Sequence, residues 1–179
     1  MTDQKSDAAP AGGGERPRAF EPAAVSAVRI AQPQDVEGIM ALARLMHAEV
    51  GLLPLDEDKV RGAVLEAIGF GLVGVTGHPE VHGCMCLKIG EAWYTRTRQI
   101  NEFMFFVHPD HRKAGHARSL LAWGKFIGDG VDMPFFMGVF GTKRTAAKIR
   151  LCERHLEQVG ATFMHHRARQ SAPEDDGSA

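Results

Sequence analysis

Net charge is nearly absent from this sequence: 21 lysines and arginines face 22 aspartates and glutamates, a formal balance of −1. Such a chain exerts no general attraction on nucleic acid or on an anionic membrane surface, so neither is expected as a partner. Long apolar runs are missing as well. No stretch approaches the roughly 18 residues that a membrane span needs. The opening MTDQKSDAAPAGGGERPRAF contains no apolar signal-peptide core, and the cytoplasm is the default location. The three cysteines, Cys84, Cys86 and Cys152, are too few for a disulfide framework. Cys84 and Cys86 alternate along a predicted strand and point to one face. Two thiols without a second ligand pair do not close a zinc site, so they read as buried thiols and no metal is expected. Tyrosine occurs once, at Tyr94.

What remains is a globular balance, with 44% hydrophobic and 24% charged residues in a chain of 179, a length that favours one domain. Residues 1–26 are rich in Ala, Gly and Pro and read as a disordered arm, and residues 169–179 as a disordered acidic tail. Between them, 27–168 alternate between strand and helix patterns. Residues 25–31 form a short strand. Pro33 suits the first turn of a helix that runs to about His47, with Asp35 and Glu37 near its positive end. Asp56 caps a second helix carrying Val60, Val64 and Ile68 on one face. Strands over 72–76 and 81–89 make a hairpin, and 91–99 a loop or strand end. Residues 100–107, INEFMFFV, form the most apolar strand and a central one. A helix from about Lys113 to Ile127, a strand over 134–140, a helix capped by Thr142 and a last strand over 161–165 complete the order. The fold class is α/β, of mixed α+β type: a central, mixed, twisted sheet flanked by helices.

The most informative segment is FFVHPDHRKAGHARSLL, residues 105–121. An apolar strand ends at Pro109. A turn rich in small and basic residues then leads into an amphipathic helix. The first backbone N–H groups of a helix lack intrahelical partners, and the helix dipole favours negative charge beside them. Gly115 and Ala117 let the backbone approach a bulky ligand, and Arg112, Lys113 and Arg118 add positive charge. The set fits a diphosphate. No Gly-Lys-Ser/Thr follows the glycine, which excludes a Walker loop, and the three glycines of a dinucleotide fingerprint are missing.

In VHPDHRKAGHA the spacing Arg112-x-x-Gly115-x-Ala117 resembles motif A of the GCN5-related N-acetyltransferase (GNAT) superfamily, whose signature is Arg/Gln-x-x-Gly-x-Gly/Ala. The element order is similar to that fold over most of the chain. A looser likeness is to a phage-associated branch with a comparable FVHPD-then-basic stretch. The resemblance implies an acyl-CoA N-acyltransferase that moves an acetyl group from acetyl-CoA to a primary amine by direct attack, without a metal. It implies that the backbone of Phe106, Val107 and His108 pairs with the pantetheine arm as an added strand would. The amides of Lys113, Ala114, Gly115, His116, Ala117 and Arg118 would hold the pyrophosphate. The strand over 135–139 would splay from its neighbour to leave a wedge.

The catalytic residues are less well marked. The family often places a tyrosine in the fourth helix as acid to the leaving thiolate, and here that position holds Cys152: either Cys152 or water protonates the thiolate, or the role is unnecessary and Cys152 is a packed thiol. The family's glutamate early in the fourth strand has Glu102 near its place. Counting back from Val107, however, puts the position on Asn101, and a one-residue offset reverses the face unless a bulge intervenes. Glu102 is thus a base or substrate ligand, or a solvated strand-end charge, and its apolar neighbours predict a raised pKa. His47 is a base at the acceptor site or a helix-end histidine favouring the dipole. Trp93 and Tyr94 line the acceptor pocket or simply pack. The acceptor is a small-molecule or peptide amine, and a homodimer is possible. Two rival readings keep the same residues: an acetyl-CoA-binding module with weak catalysis, and a phage-related structural or interaction protein with no CoA site.

Overall fold

The computed structural model describes residues 27–141 and 144–162. The predicted terminal arm and tail, Ser26 and Val25 of the first strand, the Thr142 cap and residues 163–165 of the last strand lie outside them. Five strands form one sheet in chain order: β1 (Arg29–Ile30), β2 (Val73–Thr76), β3 (Gly83–Glu91), β4 (Arg98–Val107) and β5 (Phe135–Phe136). All neighbours are antiparallel except β4 and β5, which run parallel. Four helices accompany them: α1 (Val36–Val50), α2 (Glu57–Gly69), α3 (His116–Gly130) and α4 (Thr145–Glu153). The mixed sheet flanked by helices is the architecture expected from the sequence.

Strand alternation sorts the core into two layers. Val73, Val75, Cys84, Cys86, Met104 and Phe106 pack with Ile39, Leu42 and Ala43 of α1 and Val64 and Ala67 of α2. Met85, Leu87, Ile100 and Val107 face the other way and pack with Leu120, Leu121 and Trp123 of α3, joined by Leu151 of α4. Cys84 and Cys86 therefore share the α1–α2 face, as free and fully buried thiols. Burial explains why Gly74 has no side chain: a Cβ there would lie 2.7 Å from the Trp123 ring.

Local signals set the helix ends. Asp35, in a 3-10 turn over Pro33–Asp35, accepts two hydrogen bonds from Arg29 at 2.7 Å and one from the Gln32 amide at 2.8 Å. Asp56 accepts from the Lys59 amide at 3.0 Å and starts α2. Several bounds differ from the sequence expectation. Helix α1 continues to Val50, where Gly51 ends it. Helix α3 begins at His116 rather than Lys113, because Gly115 is left-handed, with φ of 83°, and cannot belong to the helix. Only Phe135 and Phe136 of the predicted 134–140 strand pair with the sheet. Ala161 and Thr162 are not in a strand.

Candidate acyl-CoA wedge and acceptor site

The β4–β5 pairing consists of Ile100 with Phe135 and Asn101 with Phe136. Beyond Asn101 the two chains part. Among the described residues, β4 from Glu102 to Val107 has a partner strand only on its β3 side. The opposite edge is a row of backbone donors and acceptors, which an extended amide-containing ligand can pair with. The His108 amide donates to the His82 carbonyl at 2.8 Å and so faces β3. In an antiparallel ladder, alternate residues direct both backbone groups to the same side. Phe106 therefore faces β3 as well, and Phe105 and Val107 face the open edge. This corrects the expected trio of Phe106, Val107 and His108: Val107 keeps its place on the open edge, Phe105 joins it, and the other two are engaged with β3.

The open edge leads into the turn before α3. The Ser119 amide donates to the Gly115 carbonyl at 3.1 Å, the first bond of the helix. The amides of Gly115, His116, Ala117 and Arg118 thus have no intrahelical acceptor. Nothing lies within 4 Å of where a Cβ on Gly115 would sit, so the turn is open to a ligand. Lys113 and Arg118 are exposed and form no ion pair among the described residues. Two predicted members of the cradle are occupied elsewhere. The Ala114 amide donates to the His111 carbonyl at 3.1 Å. Arg112 turns back across the fold: its Nε donates to the Val107 carbonyl at 3.3 Å, its guanidinium lies 5.3 Å from the Phe106 ring centroid, and its Nη2 donates to Glu49.

Glu49, at the end of α1 beside His47, has partners that sequence reasoning did not find. Its other carboxylate oxygen is buried without a hydrogen bond, 3.7 Å from the Lys148 Nζ of α4. Burial pushes the Glu49 carboxyl up, but the Arg112 hydrogen bond and the charges of Arg112, Lys148 and Arg144 outweigh it and hold it below the usual carboxylate range. Glu49 therefore ties α1 to the turn before α3 and to α4. Glu49 and Arg112 are 63 residues apart in sequence, and no local pattern signals their pairing.

At the apex, where β4 and β5 separate, stands Glu102. The β3–β4 register shifts there: Cys86 opposes Met104 and Leu87 opposes Glu102, leaving Phe103 as an extra residue in a bulge. The bulge reverses the parity of the strand. Glu102 consequently shares the α3 face with Phe105 and Val107, the side that counting alone assigned to Asn101. Asn101 lies on the opposite face, where its Oδ1 accepts from Gln99 at 3.0 Å. Burial raises the Glu102 pKa to about 7, against the opposing effect of a hydrogen bond from the Gly138 amide. The Cys152 thiol of α4 donates to the Met137 sulfur at 3.9 Å, and burial, then the Glu102 and Glu153 charges, push its pKa up. The Glu102 charge thus reaches Cys152 across the apex.

No protein-family model and no curated protein matches the sequence. Solved structures do match. A possible acetyltransferase from Clostridium difficile 630 is 15% identical with a TM-score of 0.59, over 79% of this chain and 97% of that one. An acetyltransferase of Trypanosoma brucei is 15% identical with a TM-score of 0.56, over 79% and 98%. AAC(6')-Iy, solved with the bisubstrate analogue CoA-S-monomethyl-acetylneamine, is 15% identical with a TM-score of 0.56, over 79% and 97%. The fold is that of the GNAT acyltransferases. Each partner is covered almost completely, so the likeness extends over a whole GNAT domain and not a fragment of one.

The remaining candidates stand at the margins of this GNAT scaffold. Trp93 and Tyr94 are 96% and 72% exposed and stack edge-on at 5.6 Å in the β3–β4 loop. That loop lines a shallow depression of about 550 Å³ by itself. It lies at the Arg98 end of β4, about 30 Å along the strand from Val107. The His47 Nε2 is 2.7 Å from the Leu53 carbonyl, so that ring fastens the loop after α1. Among the described residues, no helix is long and apolar enough to cross a membrane.

The Glu102 pKa carries a stability consequence. Between about 4.5 and about 7 the folded chain keeps a proton that the unfolded chain has released. The stabilisation is complete below the lower value and is lost as pH rises through the upper one. Glu102→Gln cannot ionise. Its stability relative to the parent chain is expected to rise by up to about 3 kcal/mol between about pH 5 and about pH 8, measured by urea unfolding. Parallel pH dependences for the two proteins would contradict the buried carboxyl.

Proposed function

We propose that this protein is an N-acetyltransferase that binds acetyl-CoA along the open edge of β4 and at the bare amides of α3, and transfers the acetyl group to a primary amine. The observation that carries the reading is the continuity of the two features. One strand edge without a partner strand, offering the Phe105 backbone and the Val107 amide, runs directly into four amides without intrahelical acceptors, Gly115 to Arg118. The edge suits the two amides of pantetheine, and the helix end with Lys113 and Arg118 suits a pyrophosphate. Acetyl-CoA supplies an activated acetyl thioester. The chain supplies orientation, which accounts for most of the acceleration in such a transfer.

Glu102 is the proposed base. An alkylammonium has to lose a proton before it can attack, and a carboxyl with a pKa of about 7 is matched to that task near neutral pH. Cys152, kept protonated by its raised pKa, is the proton donor on the opposite side of the apex. The amide of Val107 is a donor for the developing oxyanion. Asn101 has no catalytic part, since its side chain is on the other face. The acceptor is an amine whose class the site does not name. The aminoglycoside analogue bound by AAC(6')-Iy makes aminoglycosides one member of the panel to test, beside polyamines and peptide N-termini.

Titration calorimetry with acetyl-CoA is expected to show binding of one ligand per chain. Replacing exposed Lys113 and Arg118 together by Gln should weaken it by at least about tenfold, roughly 1.4 kcal/mol, and Gly115→Glu should weaken it further by placing a carboxylate in the cradle. Unchanged affinity in both variants would reject the site. Thiol release with the amine panel separates an enzyme from a binding module: affinity without release for any amine favours the module. For the responsive amine, kcat/KM is expected to rise with pH through a limb near 7 that Glu102→Gln abolishes. A limb that survives in the variant assigns the base to another group.

A further inference from the structure

Three imidazoles converge beside the turn that precedes α3. We propose that His82, His111 and His116 form a binding site for a borderline divalent transition cation of the zinc type. The three residues come from separate elements: the connection between β2 and β3, the 3-10 turn Pro109–His111, and the first residue of α3. One ligand atom from each lies within 4.8 Å of the other two. The His82 and His111 rings stack at 3.6 Å with their planes 8° apart, and the His116 ring stands edge-on to His82 at 5.4 Å.

The backbone beneath them is fixed. The His82 amide donates to Thr76 at 2.8 Å, and its carbonyl accepts from His108 at 2.8 Å. The His111 amide donates to His108 at 3.0 Å, and its carbonyl accepts from Ala114 at 3.1 Å. Tetrahedral coordination with Zn–N bonds of about 2.0–2.1 Å requires nitrogen atoms roughly 3.3 Å apart. Closing the remaining distance requires the rings to rotate about their side-chain bonds. Imidazole is a ligand suited to zinc, copper and nickel, and it binds in its neutral form. Three protein ligands leave a fourth position for water or another oxygen donor. A bound cation would lock the β2–β3 connection to the turn and to the start of α3.

The inference does not rest on the CoA reading, because its probe is the metal alone. Untagged full-length protein, stripped of metal, is titrated with Co2+ and followed by its visible d–d absorption, with displacement by Zn2+. The expected result is one tetrahedral-type site per chain. His82→Asn, His111→Asn and His116→Asn should each weaken binding by at least about tenfold, the lower bound of what loss of even an outer-shell partner costs. A His165→Asn/His166→Asn variant should retain it, with folding of each variant checked by circular dichroism. Absence of the absorption band in the parent chain would overturn the proposal. So would a band that survives in all three variants or disappears only with His165 and His166.

Discussion

Parallel pairing between β4 and β5 stops after two residue pairs, and the proposed chemistry depends on that interruption. A sheet that continued would satisfy the backbone of Phe105 and Val107 internally and leave nothing for a ligand to pair with. The Phe103 bulge in the β3–β4 pairing lies where β4 and β5 part, and a bulge increases local twist. The same bulge turns Glu102 toward the apex, where burial raises its pKa. One extra residue thus delivers a carboxyl to the end of the open edge.

A second constraint joins distant parts of the chain around this opening. Arg112 is anchored by the Val107 carbonyl and by Glu49, and Glu49 is also close to Lys148. The end of α1, the end of β4 and the start of α4 are thereby held relative to one another. The motif arginine serves the shape of the cradle from behind, and the exposed charges left in front are Lys113 and Arg118. A half-buried carboxylate shared among cations is costly to leave with fewer partners, which makes this junction a rigid part of the fold.

Much of this was legible in sequence where the signal was local. Pro33 with Asp35, Asp56 as a cap, and the strand–turn–helix around Gly115 each announce themselves through a few adjacent residues. The inward face of α2, with Val60, Val64 and Ile68, followed from apolar periodicity. What escaped was long-range or parity-dependent. INEFMFFV is apolar on both faces, so alternation carries no information about register and the bulge is invisible. PFFMGVF is apolar, yet only Phe135 and Phe136 pair with the sheet, and Phe136 and Phe140 are exposed, so apolarity alone does not identify a paired strand. The spacing around Gly115 marked the strand–turn–helix, but Arg112 was expected to face a ligand because a pairing across 63 residues leaves no local trace.

Amide hydrogen exchange, read residue by residue with and without acetyl-CoA, tests the account most directly. The account predicts new protection at Phe105, Val107 and Gly115 to Arg118, with the loop 91–97 unchanged. Protection confined to that loop, or no change at the β4 edge and the start of α3, would contradict it.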